Sequence, residues 1–236
     1  MLALYHFGPV ANSLTPLLCL LEKGLAFENR LLDSRQWEHH SPEFRRWSPQ
    51  GTVSVLVHDE RAIMESTVIN EYLDGVFPDP PLRPADPFRR AEMRVLTKYV
   101  DEFFCPALTV LGAHGAASFA SKTDPEEAAR RLAAMPDREV RRKWERVFKG
   151  GYSDAELGEA RGKLARVAER MDAQLADRRP WLLGEDYSLA DIKWYSMTPG
   201  LARMMPDTVT PRIQGWLDRM AARPAVQRFE DYRRPA

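Results

Sequence analysis

The feature that most constrains the fold is a cluster of five prolines within ten residues: Pro78, Pro80, Pro81, Pro84 and Pro87. Proline fixes the backbone φ angle and has no N–H to donate, so neither a regular helix nor a strand can run through such a segment. We therefore expect an extended linker with a separate domain on each side. This divides the 236 residues into a first domain at 1–77, the linker at 78–87 and a second domain at 88–236.

Ahead of the linker, the pattern of apolar residues predicts an α/β unit. Short runs rich in aliphatic, aromatic and β-branched residues predict strands, and longer apolar runs after a polar start predict helices. Gly8-Pro9 ends the first strand, and Gly24 stands where a left-handed helix cap is expected. The predicted order is strand, helix, strand, loop, strand, strand, helix, with strands near residues 2–7, 27–32, 53–57 and 62–64.

Beyond residue 88 the periodicity and composition indicate helices only. Pro106 is expected to bend or break the first of these helices. Ser188 and Asp191 form a capping box in which Asp replaces the usual Glu, and Tyr187 and Ile192 occupy the hydrophobic staple positions around it. The second domain is therefore predicted to be all-α.

The most informative polar residues of the first domain are Asn12 and Ser13, which are residue types that cap a helix N-terminus. A strand that runs straight into a helix leaves free backbone N–H groups and a positive dipole end at one point. That point can hold an anion, and Ser13 would add a hydroxyl donor beside it. Ordinary helix capping would also explain both residues.

Composition excludes several classes of function. The 34 basic residues balance 34 acidic ones, which gives no indication of nucleic-acid binding. No apolar run reaches the roughly 20 residues of a membrane span, and no signal peptide is evident. Cys19 and Cys105 are far apart and form no CxxC motif, which is typical of the reducing cytoplasm. We expect a cytoplasmic protein with no membrane segment and no metal site.

Seven short segments carry a resemblance to a known superfamily that is more specific than the order of secondary-structure elements. They lie at residues 7–13, 22–25, 65–69, 82–88, 90–95, 100–105 and 187–192. Their sequences resemble those of the glutathione transferase superfamily and, within it, the bacterial glutathione-dependent β-aryl etherases of lignin catabolism. The resemblance implies a thioredoxin-like N-terminal domain without a redox cysteine pair, followed by an all-α C-terminal domain. It also implies glutathione as the co-substrate.

The resemblance assigns the sulfur end of glutathione to Ser13, whose hydroxyl would donate to the thiolate, with Asn12 or the backbone as the alternative donor. The helix dipole there would lower the pKa of the thiol. Val53 would pair its backbone with the cysteinyl part, as an added strand does. These three residues would hold the reacting part of the peptide.

The two ends of glutathione are assigned to a second group of residues. Glu65 would take the γ-glutamyl ammonium and Ser66 its carboxylate, while His40 matches a position that contacts the glycyl carboxylate. Asp101 resembles an acid that reaches across a dimer to the partner's glutathione. Each residue also has a plainer explanation. Glu65 and Ser66 would serve in ordinary helix capping, His40 would be a solvated loop histidine, and Asp101 would be a surface acid.

Ser54 departs from the superfamily, which has a cis-proline at this position. A cis bond before a non-proline residue costs roughly 2.5–4 kcal/mol. Either the Val53–Ser54 bond keeps the cis geometry, or it is trans and the Val53 backbone is displaced. The second alternative would weaken glutathione binding and favour a partner subunit of low activity.

The electrophile is expected between Val10 and the helical domain, because aromatic ligands favour apolar, aromatic-lined walls. The implied reaction is attack by the glutathione thiolate on the β-carbon of an α-keto β-aryl ether, with a phenolate as leaving group. A general glutathione transferase for another electrophile, or a low-activity subunit of a heterodimeric etherase, are the alternatives, and the chain would act as a homodimer or heterodimer. The candidate residues for this aromatic electrophile are Val10, Tyr99, Phe103, Leu111, His114, Trp194 and Met197.

Overall fold

The computed structural model describes residues 1–120, 122–135 and 137–233. Its first part is a four-stranded sheet with helices, formed by β1 (Leu2–His6), α1 (Ala11–Glu22), β2 (Glu28–Leu31), α2 (Pro42–Arg45), β3 (Val55–His58), β4 (Arg61–Met64) and α3 (Ser66–Val76). The strand order is β2-β1-β3-β4, with β1 parallel to β2 and antiparallel to β3, and β3 antiparallel to β4. This arrangement confirms the expected α/β, thioredoxin-like class.

The second part consists of helices, as expected. They are α4 (Pro87–Tyr99), α5 (Cys105–Ala120), α6 (Pro125–Ala133), α7 (Arg138–Phe148), α8 (Asp154–Gln174), α9 (Leu189–Tyr195), α10 (Thr198–Met204), α11 (Pro211–Ala221) and α12 (Pro224–Gln227). Short 3₁₀ turns lie at Glu38–His40, Ala176–Arg178, Pro206–Thr208 and Arg228–Tyr232. Among the described residues beyond β4, the only β pairing is an isolated bridge between Trp181 and Gly184.

Pro106 does not break its helix; of the two outcomes expected from the sequence, a bend or a break, the chain shows a local distortion. A π-helical segment, Val100–Phe104, joins α4 directly to α5, and the Cys105 N–H donates to the Val100 carbonyl five residues earlier. Pro106 is only the second residue of α5, so the wider π turn accommodates its ring and its missing N–H. The distortion therefore falls on the segment that carries Asp101.

The capping box of α9 is confirmed. Ser188 Oγ accepts from the Ala190 N–H at 3.2 Å, and Asp191 Oδ2 accepts from the Ser188 N–H at 3.0 Å. The other carboxylate oxygen of Asp191 accepts from the Leu182 N–H and from Trp216 Nε1, each at 3.0 Å. This fully buried carboxylate fixes the start of α9, the helix that reaches the functional site.

The core continues from the sheet into the helices. The apolar face of α1 packs against α3 and α9, and α4 packs against α9 and the π segment. Gly24 (φ 62°) ends α1 as expected, with the Leu25 N–H donating to the Leu20 carbonyl. No helix in the described part of the chain combines the length and apolar character needed to cross a membrane.

Candidate functional site

A cavity of about 340 Å³ lies beside the N-terminal end of α3. Its lining brings together all six residues that the resemblance assigned to the glutathione site: His40, Val53, Ser54, Glu65, Ser66 and Asp101. These residues come from the 3₁₀ turn at Glu38–His40, the segment just before β3, the start of α3 and the π segment. The assembled cavity is thus produced by the fold and not by any local sequence run.

A second cavity, of about 530 Å³, lies between the start of α1 and helices α5 and α10. Val10, Ser13 and Met197 line it. Phe7, Asn12 and Val53 line both cavities, so the two adjoin at the N-terminal end of α1. This is the geometry that a two-substrate reaction needs, because each reactant can occupy its own cavity and meet the other at the junction.

Ser13 is not the helix cap that the sequence indicated. Val10 occupies the N-cap position without a side-chain cap, and Ser13 is the third residue of α1. Its buried hydroxyl oxygen accepts instead from the Phe7 N–H at 3.1 Å, across the turn formed by Gly8 (φ 89°). Ser13 therefore still lies at the positive end of the helix, and its hydroxyl proton is available for a ligand in the larger cavity.

Asn12 stands at the junction of the two cavities. Its side-chain amide Nδ2 donates to Cys105 Sγ at 3.6 Å, and its backbone carbonyl accepts from Ser54 Oγ at 3.4 Å. Its side-chain oxygen accepts from Lys193 Nζ at 3.2 Å. The amide is therefore held in one orientation, with one of its two N–H groups free for a ligand.

The entry to α3 has an unusual backbone. Glu65 adopts φ 66° and ψ 110°, a conformation that a non-glycine residue seldom takes. No described residue pairs with its exposed carboxylate, and the next residue, Ser66, is buried. Residues held in such conformations concentrate at ligand sites. The carboxylate and the Ser66 hydroxyl are thereby presented side by side to the smaller cavity.

The Val53–Ser54 peptide bond is cis, which is the first of the two alternatives that the sequence left open. Val53 lines both cavities. Ser54 is buried and contacts the Asn12 carbonyl as described above.

His39 and His40 form the outer wall of the smaller cavity, with ring centroids 4.1 Å apart. Both ring nitrogens of His40 are buried without a hydrogen-bond partner among the described residues. Burial, reinforced by the charge of Arg45, lowers the pKa of His40. Burial and the neighbouring ring lower the pKa of His39 to about 4. Gly51 (φ 74°) fits against them because a Cβ there would lie 2.7 Å from His40 Nδ1.

Asp101 belongs to the cavity of its own chain in this structure. Its carboxylate accepts from Thr67 Oγ1 at 2.7 Å and forms an ion pair with Lys193 at 2.7 Å. The expected role of Asp101 across a dimer stays a prediction. The sequence did not indicate Lys193, which is one of the six buried residues of α9.

Helix α7 supplies a second contribution that the sequence did not indicate. Val140 and Trp144 line the smaller cavity, and Trp144 packs against Trp37 with ring centroids 4.9 Å apart. Trp37 also stacks on His40 at 5.4 Å. The helical part thus closes the cavity over the His40 loop.

Two of the seven residues expected to hold the electrophile, Val10 and Met197, line the larger cavity. The other five lie elsewhere among the described residues. Trp194 is fully buried and donates to the Leu96 carbonyl at 3.2 Å, and Tyr99 stacks between Trp194 and the exposed Phe103. Leu111 packs on the core, and His114 Nδ1 accepts from the Tyr152 N–H at 3.3 Å.

Polar groups that the sequence did not indicate complete the larger cavity. Tyr195, Ser196, Arg203 and Cys105 line it. Burial raises the pKa of Tyr195, so its phenol stays protonated at neutral pH and can donate a hydrogen bond. The cavity is therefore mostly apolar, with a small number of donors, as is usual for sites that take aromatic molecules.

Comparison with known families identifies the class. The model of the glutathione S-transferase N-terminal domain matches residues 11–76, and the model of the C-terminal domain matches residues 120–224. This chain belongs to the glutathione S-transferase family, and glutathione is its co-substrate.

Individual relatives show which members of this family the chain is similar to. The chain is 42% identical over 245 residues to Protein LigF of Sphingobium sp. (strain NBRC 103272 / SYK-6), a match that covers 99% of this chain and 95% of LigF. The crystal structure of β-etherase LigF from Sphingobium sp. strain SYK-6 superposes with a TM-score of 0.93 at 41% identity and covers 98% of each chain. A glutathione transferase homologue from Sulfitobacter, crystallised with glutathione, shares the fold at a TM-score of 0.70 and 23% identity, covering 98% of this chain and 97% of its own.

Proposed function

We propose that this protein is a glutathione-dependent β-etherase, in which the glutathione thiolate displaces a phenolate from the β-carbon of an α-keto aryl ether. The observation that carries the proposal is the similarity to LigF, a β-etherase, over nearly the whole chain. The two cavities that meet at Asn12 support it, because they give a peptide thiol and an aromatic ether separate places beside one helix end.

The displacement needs alignment and thiolate stabilisation more than any acid. The sulfur lone pair forms the C–S bond at the β-carbon while the C–O bond to the aryl group breaks and its electron pair leaves on the phenolate oxygen. The adjacent ketone activates that carbon, and the thiol proton goes to solvent when the thiolate forms. Ser13 donates to the thiolate from the positive end of α1, with Asn12 beside it. Tyr195 and Arg203 are donors within the same cavity for the ketone oxygen or the departing phenolate.

Glutathione would lie along the smaller cavity. Glu65 takes the γ-glutamyl ammonium and the Ser66 hydroxyl its carboxylate, while the Val53 backbone pairs with the cysteinyl part beside Ser54. His40 lines the same cavity at the position matched to the glycyl carboxylate, with Arg45 supplying a positive charge nearby.

We place glutathione binding in residues 1–77 and most of the aromatic site in residues 88–236, with 78–87 as the linker. A dimer is part of the proposal, supported by the exposed apolar side chains Val68 on α3, Val95 on α4 and Phe103 on the π segment. Light scattering should give a mass near twice 27.0 kDa, whereas a fully active monomer at micromolar concentration would contradict the dimer. The two free cysteines support a cytoplasmic location.

The decisive experiment incubates the purified protein with glutathione and a racemic α-keto β-aryl ether dimer. We expect release of a methoxyphenol together with one equivalent of the glutathione thioether of the phenylpropanone, and no release without glutathione. The same protein is assayed with 1-chloro-2,4-dinitrobenzene. Turnover of that compound alone would identify a general glutathione transferase. Ether cleavage only after addition of a homologous subunit would identify a heterodimer component.

A further inference from the structure

Lys193 is the most deeply buried charged group at the glutathione cavity. Its side chain is 1% exposed, and it comes from α9 in the helical part of the chain. Its ammonium lies 2.7 Å from Asp101 Oδ1, 3.0 Å from Ser66 Oγ and 3.2 Å from Asn12 Oδ1. An ammonium has three N–H donors and no acceptor, so these three contacts use it completely.

Each contact also fixes what remains free on its partner. Because Lys193 donates to Ser66 Oγ, the Ser66 hydroxyl keeps its own proton for another acceptor. Because the side-chain oxygen of Asn12 accepts from Lys193, its amide N–H groups face the other way, toward Cys105 and the junction of the cavities. One ammonium therefore orients a donor at the carboxylate end of the smaller cavity and another at the reacting end.

The charges are ordered as well. Lys193 places a positive charge directly behind Ser66, and Asp101 places a negative charge beside it. Glu65 adds a second negative charge that no described residue pairs with, and all of these except Lys193 line the cavity itself. The positive charge of Lys193 and the negative charges of Asp101 and Glu65 are together complementary to a ligand end that carries a carboxylate and an ammonium on one carbon. The γ-glutamyl end of glutathione is such a group.

We propose that Lys193 is a positioning residue for glutathione, which orients Ser66 and Asn12 and attracts the γ-glutamyl carboxylate through Ser66. The inference rests on the proposed function only in requiring that glutathione is the bound ligand. It gives the helical part of the chain a second residue for binding glutathione beside Asp101, whereas the sequence had placed the other contacts in the first 77 residues. It also makes the affinity for the carboxylate depend on a residue that need not touch it.

A second buried lysine provides a matched control. Lys23 Nζ pairs with Asp74 at 2.7 Å and donates to the Phe77 and Pro80 carbonyls at 2.7 and 2.8 Å. It is as deeply buried as Lys193 but lies just beyond the opposite end of α1, about 16 Å along the helix from Asn12. Lys23→Met therefore measures what the loss of a buried lysine does to stability alone.

The experiment measures binding by titration calorimetry with two probes. One is glutathione, and the other is 4-aminobutyryl-cysteinyl-glycine, which keeps the amine but lacks the γ-glutamyl α-carboxylate. In Lys193→Met, the dissociation constant for glutathione should rise at least about tenfold, while that for the analogue should change less than about twofold. Lys193→Arg should recover part of the loss. Lys23→Met should lower the melting temperature and leave both dissociation constants within about twofold of wild type.

A uniform loss of affinity for both probes, or none for either, would overturn the proposal and leave Lys193 a structural residue. If Lys193→Met does not fold, a double-mutant cycle of Lys193→Arg with Ser66→Ala decides. Coupled losses in glutathione affinity support the proposal, and additive losses overturn it. Wild-type protein that binds glutathione but does not cleave the ether would refute the β-etherase function while leaving this inference testable by the same titrations.

Discussion

The hydroxyl oxygen of Ser13 accepts a hydrogen bond from the Phe7 N–H at 3.1 Å, and this single contact reassigns the residue. The oxygen of a helix-capping serine would accept a hydrogen bond from an N–H within its own helix. Here the oxygen ties the end of β1 to the first turn of α1, and the hydroxyl proton remains unused. Ser13 therefore stands as a donor beside the junction of the two cavities, at the positive end of α1.

Ser13→Ala should raise the pKa of bound glutathione and slow the displacement by about tenfold or more, because loss of one buried donor to a charged group costs about 1–3 kcal/mol. Glutathione affinity should fall only slightly, since the carboxylate contacts remain. Ultraviolet titration of the bound thiolate gives the pKa, and single-turnover kinetics give the rate.

The control is Ser153→Ala, which removes the capping box of α8 outside both cavities. It should lower the free energy of unfolding by about 1 kcal/mol and leave the thiolate titration unchanged. If the Ser13→Ala titration matches wild type, Asn12 or the backbone N–H groups stabilise the thiolate instead.

Val10→Trp should obstruct the aromatic ether and not glutathione. Val10 is half-exposed at the edge of the larger cavity and does not line the smaller one, so an indole can be added there without repacking the core. We expect KM for the aryl ether to rise at least about tenfold, with KM for glutathione within about twofold of wild type. Val76→Trp on α3, a similarly exposed valine outside both linings, should change neither. An equal rise of both KM values would place the ether elsewhere.

The pH dependence of stability should reflect the buried histidine pair. The folded pKa of His39, about 4, lies below the unfolded value near 6.5, so the unfolded chain binds the proton first as the pH falls. The stability that neutral His39 provides is therefore complete above pH 6.5 and is lost between about pH 6.5 and 4, to a total of about 3 kcal/mol. His6 and His40, whose pKa values are also lowered by burial, act in the same direction.

Urea unfolding of wild type and His39→Phe from pH 7.5 to 4.5 measures this. Phenylalanine keeps the aromatic contacts with Phe7 and Trp37 but does not titrate. The free energy of unfolding should fall more steeply with decreasing pH for wild type than for His39→Phe. Parallel curves would show that His39 is protonated as easily in the folded protein as in the unfolded chain.

The parts of the fold that sequence predicted are those set by local chemistry. The β-branched run at β3, the capping box at Ser188 and Asp191, and the left-handed cap at Gly24 each depend on a few neighbouring residues. The predicted start of α1 was wrong because it depends on two residues outside the helix. The Phe7 N–H donates to Ser13 across the turn at Gly8, so Ser13 does not cap the helix. Pro106 was expected to bend or break a helix, and a π turn accommodates it without a break, but propensity alone cannot distinguish these outcomes.

The site was predictable only as far as a resemblance could carry it. His40, Val53, Glu65 and Ser66 line one cavity, as the motifs indicated. Lys193 makes its contacts 127 and 181 residues away in the chain, so no local pattern reveals them. Tyr99 and Trp194 were expected at the electrophile because aromatic residues suit such walls, but they suit a core equally well. Which of the two occurs depends on how α4 and α9 pack, and that is set by the whole helical part.

Asp191 should be the least replaceable acid of the helical part. Its two oxygens accept from the Leu182 and Ser188 N–H groups, from Ser188 Oγ and from Trp216 Nε1, and burial raises its pKa to about 6. Near pH 7.5 it is therefore an ionised acceptor surrounded by donors.

Asp191→Asn replaces one oxygen by an N–H₂ group, so at least one buried donor must face another donor in place of an acceptor. We expect the free energy of unfolding at pH 7.5 to fall by about 2–4 kcal/mol, because a buried donor without an acceptor costs about 1–3 kcal/mol and the capping box is lost as well.

The folded pKa of Asp191 lies above its unfolded value, so wild type carries a penalty for the buried charge that is relieved as the pH falls through 6. The cost of the substitution should therefore be larger at pH 5 than at pH 7.5. Asp186→Asn, at a solvent-exposed neighbour, should be neutral within about 0.5 kcal/mol. Because α9 carries Lys193, the variant should also weaken glutathione binding, and unchanged affinity together with unchanged stability would show that α9 is positioned by its apolar contacts alone.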